Sequence, residues 1–197
     1  MQQVGLLVIL VSSDPGTKTV TPFGGTTPIY TPNPIPAGIP TRGDLILIDT
    51  SVSCTTNGLA LRLQAEETRL PSPWLLDSDG EVTDDPNALF TEPPGSILPL
   101  GGVELGYKGF SLGILVETLT SALGGYGRAE QPTHCGASLF LQVLDQDAFG
   151  GTDACAAHRR AAERAILQSA ERTATTLATR DQSRTPRVHN GWERGET

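Results

Sequence analysis

Residues 106–125 read Gly-Tyr-Lys-Gly-Phe-Ser-Leu-Gly-Ile-Leu-Val-Glu-Thr-Leu-Thr-Ser-Ala-Leu-Gly-Gly. Leu112, Leu115, Val116, Leu119, Ala122 and Leu123 recur at helical spacing, which predicts a helix over Phe110–Leu123 with one buried stripe. Gly124-Gly125 ends it, because glycine accepts the left-handed cap conformation. Lys108 would then stand at the helix N-terminus, where the helix dipole is already positive. A bound anion reverses the sign of that argument. Free N–H groups, Gly109 for close approach and an ammonium together make a phosphate or carboxylate site. The plainer alternative is that Lys108 projects into water near Glu104.

Outward from that helix, Val4–Val11 reads as a strand buried on both faces. A buried strand so near the start implies that further chain preceded it. Ser12–Asp44 is proline-rich, which excludes a helix and any long central strand. So long an irregular stretch is usually functional. Leu45–Ile48 is a second apolar strand that runs into Asp49-Thr50-Ser51. An aspartate at a strand end can bind a ribose hydroxyl or act as a base. It can also simply cap the Thr50 or Ser51 N–H. Gly58–Glu67 reads as a short helix, Trp74 as an aromatic anchor in a rigid proline turn, and Leu139–Leu144 as a strand. Asp77-Ser78-Asp79-Gly80 reads as a solvated turn whose spacing does not complete a calcium loop. Asp153 to Thr179 is Ala-rich and helical, with Ile166 and Leu167 facing inward, and the polar tail beyond it frays. The organisation expected is a core over 1–152 and a C-terminal helix with tail over 153–197.

The 197 residues suffice for one sizeable core, and 38% hydrophobic content excludes general disorder. Residues 1–152 carry 16 acids and 6 bases, and residues 153–197 carry 6 acids and 8 bases. An acidic body argues against a nucleic-acid surface. The opening apolar run is too short to span a bilayer and lacks the basic start of a signal peptide. Cys54, Cys135 and Cys155 show no C-x-x-C spacing, which fits reduced thiols in a cytoplasmic protein without a zinc site. No G-x-G-x-x-G, G-K-[ST], H-E-x-x-H or G-x-S-x-G motif is present.

Seven segments, in order, carry a family resemblance. Pro22-Phe23-Gly24-Gly25 matches a Pro-x-Gly-Gly turn. Asn33-Pro34 followed by Pro40 matches a Gly-Thr-Asn-Pro…Pro segment. Leu47-Ile48-Asp49-Thr50-Ser51 matches a hydrophobic-Asp-Met-Ala/Ser strand end, and Trp74 to Pro86 matches W-a-x-D-x-x-G-x-p-T-t-D-P. Leu98-Pro99-Leu100, Gly106-Tyr107-Lys108-Gly109-Phe110 and Asp145 to Gly150 complete the series. The chain resembles the malate/L-lactate dehydrogenase family, with its ureidoglycolate, sulfolactate and diketogulonate-type members.

The resemblance implies a mostly antiparallel α/β sheet with flanking helices, a non-Rossmann fold that binds NAD or NADP. It implies hydride transfer between that cofactor and a small 2-hydroxy acid, or a related oxo or imino acid, in a homodimer. Ser13 falls where a cofactor-contacting serine follows the first strand. Asp49, Thr50 and Ser51 fall on the strand end that contacts the dinucleotide, and Lys108 and Gly109 on the Lys-Gly pair at the cofactor. Asp49 is also the catalytic candidate, as a partner in proton relay.

The departures are as informative. Thr31-Pro32 replaces Gly-Thr, Leu59 stands where many members have a basic residue, and Asn190-Gly191-Trp192 sits where Pro-Gly-Glu is expected. The family's Ser-His-Gly and Gly-His segments, one of which supplies the acid–base histidine, should precede Val4. His134, His158 and His189 lie at no corresponding position. The expectation is a family member whose N-terminal portion is missing. The alternative is an inactive remnant that binds a dinucleotide or a full-length paralogue.

Overall fold

The computed structural model describes residues 5–40 and 45–151, and positions 153, 154, 156, 157, 160, 161 and 164. Two compact units are distinguished, Met1–Asp145 and Gln146–Thr197. In the second, the described positions 153, 154, 156, 157, 160, 161 and 164 are helical. Ile166, Leu167, the tail and the Asn190-Gly191-Trp192 segment lie outside the described residues.

The first unit is α/β. Its larger sheet has the order β3-β2-β1-β7, with β1 at Leu6–Ser13, β2 at Ala37–Ile39, β3 at Ile46–Ile48 and β7 at Ser138–Asp145. Every ladder in it is antiparallel. β1 is not buried on both faces, since only Val11 and Ser13 are buried and the rest is half-buried. The expectation took an unbroken apolar run for a doubly covered strand. In the register, Val11 faces Phe140 on the core side, while Leu10 faces Leu141 on the other. That outer side carries the exposed Leu139, Leu141 and Val143.

β2 lies inside the proline-rich stretch and was not foreseen. Proline lacks an N–H but keeps its carbonyl. Pro34 and Pro36 accordingly accept from Ser12 N (3.2 Å) and Leu10 N (3.0 Å), so the segment pairs through acceptors.

Strands β4 (Leu75–Leu76), β5 (Val82–Thr83) and β6 (Ser96–Ile97) form a second antiparallel sheet in the order β5-β4-β6. Asp77 forms its turn by accepting from Asp79 N and Glu81 N, both at 2.9 Å. The core gathers Val20, Tyr30, Val52, Leu75, Ile97 and Val116, with Trp74 and Phe110 packed at its edge. Helix α1 spans Asn57–Ala65 and is capped by Thr56, whose hydroxyl accepts from Leu59 N.

Helix α2 runs over Gly102–Glu117 and widens into a π turn over Thr118–Ala122. Its start lies eight residues before the expected Phe110. Gly106 and Gly109 were placed ahead of the helix, yet both are helical and buried. A Cβ at Gly109 would collide with the backbone of Leu100, and one at Gly106 would sit 2.9 Å from Pro99 Cγ. The buried stripe is therefore Gly106, Gly109, Gly113 and Val116, not the leucines. Leu112, Leu115 and Leu123 are exposed. Small residues let the helix axis press close to the core, which turns its leucines outward.

Candidate functional site

β3 ends at Ile48 and delivers Asp49, Thr50 and Ser51 to one wall of a cleft of about 420 Å³. The segment is held against the proline stretch. Ile35 N donates to Thr50 O (2.7 Å), Val52 N donates to Pro32 O (2.9 Å), and Pro34 bridges Ser51. Residues 31–34 form the opposite wall, and Thr56, Asn57 and Gly58 at the start of α1 form a third. Asp49 and Thr50 are exposed, so they are reachable from solvent. Asn57 Oδ1 is buried without a hydrogen-bond partner. An orphaned acceptor beside a helix N-terminus is chemically unsatisfied, while the helix end itself favours negative charge.

Ser13 is 2% exposed and its hydroxyl points inward. It lies 2.8 Å from Thr120 Oγ1 and 3.5 Å from Ser121 Oγ. Thr120 gives its own proton to Val116 O (2.7 Å), so Ser13 is the donor of that pair.

Lys108 is exposed in the second turn of α2, with Nζ 5.9 Å from the Tyr107 ring centroid. Because α2 begins at Gly102, the positive end of its dipole is not at Lys108, and the argument from the helix terminus does not apply. The lysine acts there only as a mobile ammonium. Gly109 is buried, and its N–H donates to Leu100 O (3.1 Å). Leu100 N in turn donates to Val52 O (2.8 Å), which links α2 by backbone to the segment that carries Ser51. Asp49, Thr50 and Ser51 thus share one cleft, and Ser13, Lys108 and Gly109 are not part of its lining.

Three residues were not read as site residues from sequence: Asn33, which lines the cleft, and Glu117 and Arg128, which connect to it through Asn33. Asn33 is fully buried with φ +46°, a left-handed conformation that asparagine tolerates better than most residues. Its Nδ2 donates to Glu117 Oε1 (2.8 Å) and its Oδ1 accepts from Thr31 Oγ1 (3.2 Å). Glu117 is paired to Arg128 through Nε–Oε2 and Nη2–Oε1 contacts, both 2.8 Å. Glu117 is the only charged residue between Lys108 and Arg128, and a lone carboxylate on an apolar helix asks for a partner. That signal was readable, but the partner was not.

Beside this pair, burial pushes the Asp14 carboxyl upward. Hydrogen bonds from Thr17, Gly136 and Gly16 and the Arg128 charge outweigh that and keep it below the usual carboxylate range. Burial, followed by the charge of Glu117, pushes Tyr30 up to about 12. Among the described residues no helix is long and apolar enough to cross a membrane.

The family model for malate/L-lactate dehydrogenase matches residues 1–184. Among curated relatives, the (2R)-3-sulfolactate dehydrogenase (NADP(+)) of Chromohalobacter salexigens is 36% identical over 122 residues, which is 61% of this chain and 34% of that protein. A malate dehydrogenase of Pyrococcus abyssi is 36% identical over 109 residues, 54% of this chain and 30% of that one. The structure of a putative malate/lactate dehydrogenase from E. coli superposes with a TM-score of 0.71 at 25% identity, over 82% of this chain and 46% of that one. A delta1-piperideine-2-carboxylate reductase from Pseudomonas syringae pvar. tomato gives 0.69 at 26% identity, over 83% and 50%. The chain spans about a third of the curated relatives' length and about half of the solved ones.

Proposed function

The chain belongs to the malate/L-lactate dehydrogenase family, and on that footing we propose that it forms the cofactor-binding part of an NAD(P)-dependent oxidoreductase acting on a small 2-hydroxy acid or a related oxo or imino acid. The observation that carries this is the cleft at the end of β3, where Asp49, Thr50 and Ser51 face the N-terminus of α1. Its size, about 420 Å³, suits part of a dinucleotide. The fit is chemical as well. The helix N-terminus favours a phosphate, Asn57 Oδ1 lacks a donor that a ribose hydroxyl can supply, and Asp49 accepts from a second hydroxyl. Bound there, a nicotinamide dinucleotide supplies the hydride acceptor or donor. Lys108, on its flexible stem, offers a counter-charge to a phosphate, and Gly109 fixes the helix turn that carries it. Ser13 anchors the strand end through Thr120 and leaves its backbone to the ligand.

A second reading has its own support. None of His134, His158 and His189 matches the family's acid–base histidine, and in this reading the chain is an inactive remnant that binds a dinucleotide or a full-length paralogue. Under both readings the location is the cytoplasm and the unit associates with a second copy of itself.

Cofactor fluorescence titration tests the site. Wild-type chain is expected to bind NADH or NADPH. Lys108→Ala should weaken it by about 1–3 kcal/mol, the range of a charge-assisted hydrogen bond. Asp49→Asn should weaken it as well, by loss of the ionised acceptor. Equal affinity in all three proteins would remove these residues from the site.

A further inference from the structure

Arg128 has five N–H donors, and each has an acceptor. Nε and one Nη2 hydrogen go to Glu117, and the other Nη2 hydrogen goes to Asp14 O (3.1 Å). Nη1 reaches Pro15 O (3.3 Å) and Thr17 O (2.7 Å). Three successive-turn carbonyls just beyond Ser13 are therefore gathered onto one guanidinium. The carboxylate it pairs with reaches the other way, to Asn33 Nδ2. Asn33 sits in the cleft wall opposite Asp49–Ser51, in a left-handed conformation that needs an external restraint. Arg128 and Glu117 side chains are 18% and 17% exposed, so water screens the pair only partly.

We propose that Glu117 and Arg128 are positioning residues, which lock the Asp14–Thr17 turn behind Ser13 to the Thr31–Pro34 wall of the cofactor cleft. The inference rests on the cofactor reading above. Through the pair, the Asp14–Thr17 turn is joined to Arg128 across 111 to 114 residues of sequence and Asn33 is joined to Glu117 across 84. An ammonium cannot replace the guanidinium, because one nitrogen cannot span a carboxylate and three carbonyls. The requirement is geometric as well as electrostatic. On its far side the pair borders a second cavity, of about 550 Å³, lined also by Tyr30, Ser121 and Tyr126. That cavity gives a small guanidinium compound a route to the position that Arg128 would leave.

The test uses the full chain with Arg128→Ala, Arg128→Lys, Glu117→Gln and Asn33→Ala. Two readouts run in parallel, NADH affinity by fluorescence and backbone amide exchange over residues 14–18 and 31–36. Arg128→Ala is expected to lose about 10- to 100-fold in affinity through misplacement of the cleft wall. Exchange should rise in both segments together, because each is held by one member of the pair. Methylguanidinium should restore both readouts, and methylammonium at equal concentration should restore neither. Arg128→Lys should behave like Arg128→Ala. Glu117→Gln keeps the shape but replaces one accepting oxygen by an NH₂ that faces an N–H donor, and it provides the measurement if Arg128→Ala does not fold.

Rescue by lysine or methylammonium would overturn the geometric role. Exchange that rises in one segment only, or in neither, would overturn the link between the turns. If wild-type chain binds no dinucleotide, the cofactor reading fails, while the exchange readout still decides whether the pair couples the two turns.

Discussion

Gly113 lies so close to Tyr30 that a β-carbon there would come 2.6 Å from the ring Cζ and 2.8 Å from its hydroxyl oxygen. The tyrosine is 1% exposed, stacks near Phe110 with ring centroids 6.3 Å apart, and borders the cavity of about 550 Å³. This contact sets the depth at which α2 meets the core.

Gly113→Ala should therefore destabilise the chain by about 1–3 kcal/mol, the range for overpacking. In an open helix the same change would gain up to about 1 kcal/mol. Gly58→Ala, where a Cβ meets nothing within 4 Å, is the control and should be neutral or mildly stabilising. Urea unfolding of the two variants decides the matter, and similar midpoints would contradict the packing described.

Tyr30 makes stability depend on alkaline pH. Its folded-state pKa of about 12 lies above the ~10 of an unfolded tyrosine. Between those values the unfolded chain sheds a proton that the folded chain keeps. The contribution is intact below about pH 10 and is lost as pH rises towards 12. Unfolding midpoints measured from neutral to alkaline pH should fall more steeply in wild type than in Tyr30→Phe. Parallel curves would show that the hydroxyl does not matter.

The outer side of the larger sheet presents Leu47, Leu139 and Leu141 at 73%, 60% and 61% exposure, and α2 adds Leu112 and Leu115. Apolar surface of this extent drives association. Light scattering is expected to show self-association at micromolar concentration. Leu141→Lys, which places a charge on that face without touching the core, should raise the monomer fraction. A wild-type monomer that fails to bind a hydrophobic dye would refute this.

The chain by itself should show no turnover of malate, lactate or similar 2-hydroxy acids, read as cofactor reduction at about 340 nm. Among the described residues no histidine lines the Asp49–Ser51 cleft, and a reaction without a positioned general acid–base group typically loses about 10²–10⁴-fold. Asp49 is exposed on the cleft wall. Robust activity that disappears in Asp49→Asn would show that this carboxylate suffices.

The cleft was partly legible in the sequence. Asp49-Thr50-Ser51 stands out because an apolar run ends abruptly in three oxygen-bearing side chains, and a strand end is fixed by local pattern alone. The helix around Val116 was legible for the same reason. Its start was not, because glycine lowers helical propensity while tertiary contact with Leu100 and Tyr30 rewards its missing side chain. The error moved Lys108 from the second turn to the terminus and so changed the physical argument for it.

Local periodicity determined that strands surround residues 6–13, 46–48 and 138–145 and that helices follow near 57 and through 116. Ordered short motifs determined the family. Tertiary structure decided what lies between. Three residues at Ala37–Ile39 become a central strand because β1 and β3 offer partners on both sides, although their flanking prolines argue against one. Glu117 finds Arg128 eleven residues on, and through it Asn33 and the Asp14–Thr17 turn. Such pairings depend on distances in space between segments whose separation along the chain is arbitrary, and one linear sequence carries no direct record of those distances.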